Sequence, residues 1–166
     1  MKKIAIAVNL LIVWVLCTGC PFESAVPIDA PSLPINPNLL GKWTSDPEAQ
    51  NLLEIAKTDP FTYRITEVET SMDSTTRRKY YLGHLSVVEG VQFVNLQMIE
   101  QDKPSTDSLT YMIFKLEIMH KDKFVLSPMT EHIREKFKTS AEFKAFVKKH
   151  LRLSFFYEAD MVYERH

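Results

Sequence analysis

The stretch "KYYLGHLSVVEGVQFVNLQMIE" (residues 79–100) constrains the fold more than any other part of this chain. It holds two long runs of β-branched, aromatic and aliphatic residues, interrupted by Glu89-Gly90. A two-residue connection ending in Gly, which tolerates φ > 0, predicts a tight β-hairpin. Two strands alone are marginally stable, so this hairpin must belong to a larger sheet.

The neighbouring sequence supplies that sheet. From Leu39 onward the chain reads as short strands with period-two patterning: "LLGKWTS", "NLLEIAK" and "FTYRITEV", with Thr58-Asp59-Pro60 as a turn. After a loop over Asp102–Ser108, "LTYMIFKLEIMH" and "KFVLS" form a second hairpin around Lys121-Asp122. One helix is well signalled. Thr139-Ser140-Ala141-Glu142 fits a capping box, and Phe143, Phe146, Val147 and His150/Leu151 follow at helical spacing. Lys148 and Lys149 suit the negative end of its dipole. "EHIREKF" (131–137) reads as a looser helical turn before it. The last segment predicts a strand in which Leu153, Phe155, Tyr157, Ala159, Met161 and Tyr163 share one face, with Phe156 and Val162 as exceptions on the polar one. Arg165 falls on the apolar face and needs a partner there.

Sequential hairpins with one-sided patterning, then a helix, then a closing strand, predict a mainly β fold: an antiparallel up-and-down barrel of about eight strands with one α-helix before the last. The barrel domain is assigned to residues 39–166.

The first 38 residues are of another kind. "MKK" precedes a thirteen-residue apolar run, Ile4 to Leu16, too short to cross a bilayer of roughly 30 Å but suited to a signal peptide. The run ends in Cys17-Thr18-Gly19-Cys20, which holds both cysteines of the chain. A redox or zinc CxxC reading finds no second ligand pair. The segment 20–38 carries five of the nine prolines (Pro21, Pro27, Pro31, Pro34 and Pro37) and reads as a polyproline-like tether. Such a tether would lift the barrel about 50 Å from its point of attachment.

Two resemblances follow from quoted residues. Thr18-Gly19-Cys20 after an apolar run resembles the bacterial lipobox, although Cys17 stands where that pattern usually has Leu. The resemblance implies removal of residues 1–19, lipidation of Cys20, and a membrane partner reached through the lipid anchor. It also implies a place on the extracytoplasmic side of a bacterial cell envelope, with inner or outer membrane left open. Leu40-Gly41-Lys42-Trp43 at the first strand is similar to the G-x-W opening of lipocalins. That resemblance implies that Trp43 plugs the barrel base beside Gly41 and that Arg165, on a late strand, packs across it. The whole chain thus looks like the small bacterial lipoproteins with a lipocalin-like domain.

Composition narrows the function. The formal net charge is -1, and no basic stripe interleaved with aromatics occurs, which argues against nucleic acid. Four glycines cannot build a phosphate-cradling loop. There is no G-x-S-x-G elbow and no cysteine after Cys20, so no catalytic residue is assigned and a non-catalytic module is expected. His132 with Glu131 and Glu135 lacks H-E-x-x-H spacing, so no metal and no cofactor are assigned.

Two functions remain: an interaction module meeting another envelope protein, or a carrier for a small hydrophobic ligand inside the barrel. The lining expected for the carrier is Tyr80, Leu82, His84, Phe93, Phe114, Leu116, Phe155, Tyr157 and Met161. Its bulk of Phe, Tyr, Leu and Met favours a filled or nearly filled barrel, and an eight-stranded barrel is at the borderline between filled and hollow.

Overall fold

A computed structural model of the chain describes residues 22–45, 52–70, 75–100, 103–104 and 110–166. The assigned signal segment, Cys20 and most of the 102–108 loop lie outside the described residues.

Eight strands close into an antiparallel barrel. In chain order they are β2 (Gly41–Thr44), β3 (Leu52–Lys57), β4 (Tyr63–Thr70), β5 (Thr76–Val88), β6 (Val91–Glu100), β8 (Tyr111–His120), β9 (Lys123–Pro128) and β10 (Met161–Arg165). Each pairs with the next, and β10 returns to β2 through Glu164↔Thr44 and Arg165↔Trp43. Closure by an up-and-down path leaves the barrel without a free edge. Two short strands add to it: β1 (Glu23–Ser24) beside β8 and β7 (Lys103–Pro104) beside β6. The helix α1 (Ser140–His150) precedes β10 as expected, and its capping box is formed at both ends of the Thr139–Glu142 exchange.

The tight β5–β6 connection has Glu89 at φ 50° and Gly90 at φ 82°, the pair of left-handed residues that matches strand twist. This turn lies at the same end of the barrel as Trp43, along with the β3–β4 and β8–β9 turns. The β2–β3, β4–β5 and β6–β8 connections and the route into α1 lie at the other end.

Two apolar clusters hold the molecule. The inner one includes Trp43, Tyr63, Tyr81, Phe114, Phe124 and Leu126. The outer one lies between the barrel wall and α1 and includes Phe22, Ile28, Phe93, Ile113, Phe143, Val147 and Phe156. The second cluster corrects three sequence expectations.

First, residues 22–38 are not a free tether. Phe22 packs against Phe143 at 5.8 Å between ring centroids, and Ile28 is fully buried. Burying these apolar groups outweighs the solvation that a proline-rich spacer would keep. Second, the segment from Leu153 is not one long strand. Ser154–Phe156 is a 3-10 turn and only Met161–Arg165 joins the sheet. The turn drives Phe156, expected on the polar side, into the outer cluster and leaves Phe155 72% exposed. Third, residues 133–137 are irregular, not helical, and Phe137 stacks on Phe143 at 4.6 Å.

Candidate functional site

The base of the barrel is built around Trp43. Its indole N–H donates to the Leu39 carbonyl at 2.9 Å, and its ring meets Phe124 edge-on at 4.7 Å. Phe124 in turn stacks on Tyr163 at 5.1 Å. The Arg165 guanidinium covers the indole at 4.3 Å, within cation–π range. That guanidinium also donates to the carbonyls of Asn38, Leu40 and Lys121 and to the Asp122 carboxylate. Gly41 has φ +128°, and a Cβ there would lie 2.8 Å from Arg165 Nη1. Gly41, Trp43 and Arg165 therefore form one unit.

Above this base the barrel is hollow. A cavity of about 830 Å³ runs through it, within the size range of small-molecule sites. The filled interior expected from the sequence is overturned. Wall residues include Ile55, Tyr63, Ile65, Tyr81, Leu85, Val94, Leu96, Met112 and Tyr163, with Leu39 and Phe124 towards the base. These side chains meet the core on one side and the void on the other, so bulk in the sequence did not translate into filling.

Of the nine residues expected to line the cavity, Phe114, Leu116 and Met161 do so. Tyr80, Leu82 and His84 lie on the opposite face of β5, because Tyr81 and Leu85 point inward. Phe93 packs under α1, Tyr157 is a half-buried member of the same outer cluster, and Phe155 faces solvent. A one-residue slip in reading β5 moves every side chain to the other face. The stretch Gly83–Ser86 of β5 is buried on both faces, which removes the alternation that would fix the register.

His84 instead joins a polar clasp on the outer wall. Its Nε2 lies 2.6 Å from the Asp29 carbonyl, and the Asp29 carboxylate holds Lys144 of α1 at 2.8 and 2.9 Å. Burial lowers the His84 pKa from the usual 6.5, partly offset by the Asp29 contact. Next to it, Asn95 accepts from the Ile28 amide at 2.8 Å and donates to Ser86 at 2.9 Å. The clasp pins residues 28–29 to both barrel and helix.

Among the described residues, the charged side chains that meet the cavity stand at the end opposite Trp43. Glu67 and Lys79 face each other across β4 and β5, and Glu131 and Glu158 come from the chain on either side of α1. The Tyr81 hydroxyl donates to Glu67 at 3.0 Å. Burial raises the Tyr163 hydroxyl to about 12, with the Glu67 charge adding to the shift.

No family model matches the chain, and neither a curated protein nor a solved structure does.

Proposed function

We propose that this chain is a lipid-anchored envelope protein whose hollow barrel carries a small hydrophobic ligand. The apolar cavity of about 830 Å³ carries this reading, since a closed barrel built only to present its outer surface has no need of such a void. The Trp43–Arg165 base supports it by sealing one end, so that exchange runs through the other.

The anchored half of the proposal rests on Thr18-Gly19-Cys20 and its apolar leader. Because Phe22 is docked on the barrel, an acyl chain on Cys20 would hold the domain close to the bilayer: two residues span at most about 7 Å. Cys20→Ala should move the protein from the membrane fraction to the soluble one. Unchanged membrane association would remove this half.

For the cavity, the test is binding of the neutral fluorophore N-phenyl-1-naphthylamine to the wild type and to Val94→Trp, which plugs the wall. We expect saturable binding by the wild type and at least tenfold weaker binding by a folded plug variant. No binding, or equal binding by both, contradicts the carrier reading.

A further inference from the structure

We infer that the cavity selects single-chain amphiphiles with a protonated amine headgroup over those with a carboxylate, because its mouth is acidic while its body is apolar. This inference rests on the carrier reading and specifies its ligand class.

Among the described residues, the lining side chains charged at pH 7 are Glu67, Lys79, Glu131 and Glu158. The positive charge of Lys79 is already compensated, with its Nζ 2.8 Å from Glu69 and 3.6 Å from Glu67. Among the described residues, neither Glu131 nor Glu158 is in an ion pair; Glu158 accepts only from the Glu131 amide at 3.3 Å. Two uncompensated carboxylates therefore remain at the mouth.

The partition within the cavity gives the ligand its direction. Leu39 and Phe124 line the base end, so an alkyl chain enters tail first and leaves its head at the mouth. A carboxylate headgroup there would meet like charge, whereas an ammonium would be attracted.

The test compares three ligands of one chain length below their micelle concentrations: dodecylammonium, dodecanol and dodecanoate, each displacing N-phenyl-1-naphthylamine at pH 7 and low salt. We expect dodecylammonium to bind about tenfold tighter than dodecanoate, with dodecanol between, because the two carboxylates attract the one headgroup and repel the other. The ratio should shrink in high salt. The double variant Glu131→Lys/Glu158→Lys, at two exposed positions, should reverse the order of the two charged ligands. The Val94→Trp plug should lose all three, which separates cavity binding from surface adsorption. If the three bind alike, if dodecanoate binds tightest, or if the double variant keeps the wild-type order, the headgroup inference is overturned and the carrier reading stands. If none displaces the fluorophore, the carrier reading itself fails.

Discussion

Arg165 caps the Trp43 indole at 4.3 Å and at the same time ties together three backbone segments, through the carbonyls of Asn38, Leu40 and Lys121. One side chain on the last strand thereby joins the start of the first strand, the turn between β8 and β9, and the plug of the base. The backbone pairing Arg165↔Trp43 is part of the same closure.

Arg165→Met should keep the stem over the indole and lose the charge and the donors. The expected cost is about 1–3 kcal/mol, from the cation–π contact and hydrogen bonds to charged donors. Arg165→Lys should recover only part of it, because an ammonium cannot reproduce the planar fork. Urea unfolding reads both. Gly41→Ala should also destabilise, since its Cβ would meet Arg165 Nη1 in a backbone conformation that side chains rarely adopt.

Asn95→Leu should loosen the segment that enters the barrel. It removes the acceptor of the buried Ile28 amide and the donor to Ser86, and an unsatisfied buried amide costs about 1–3 kcal/mol. Hydrogen exchange of the Ile28 amide should accelerate more than that of β3 and β4. Uniform acceleration would argue against a local clasp.

His84 should make stability depend on pH in one direction. Its folded pKa is lowered by burial, so between that value and the unfolded one near 6.5 the unfolded chain binds a proton and the folded chain does not. Stability therefore rises with pH through this window, and the penalty is fully present below the folded pKa. Comparing urea midpoints at pH 5 and 7.5 for wild type and His84→Gln checks it: the variant should show a smaller difference.

The architecture was legible in the sequence because its local signals agree. Turn residues, strand alternation and the Thr139–Glu142 capping box each specify the element that forms. The Gly41/Trp43/Arg165 base was legible through a short motif and through the anomaly of a guanidinium on an apolar face. The cavity wall was not, because β5 and β6 are covered outside by residues 22–29 and α1, and a strand buried on both faces carries little alternation. Two signals could have exposed this. Asn95 interrupts the apolar run Phe93–Leu96 of β6, which marks a polar contact on that face, and the Pro-rich segment carries Phe22, Ile28, Leu33 and Ile35 between its prolines. Neither is what a solvated spacer needs. The 3-10 turn at Ser154–Phe156 had no local signal, since packing of Phe156 under α1 overrides a sequence that alternates like a strand.

The central claim is that the barrel holds a hydrophobic ligand, and native mass spectrometry of protein purified in mild detergent from its own cells tests it most directly. The account predicts a non-covalent adduct of one small amphiphile per chain, beyond any acylation of Cys20, that denaturation releases and that the Val94→Trp variant lacks. The bare chain mass in both wild type and variant would contradict it.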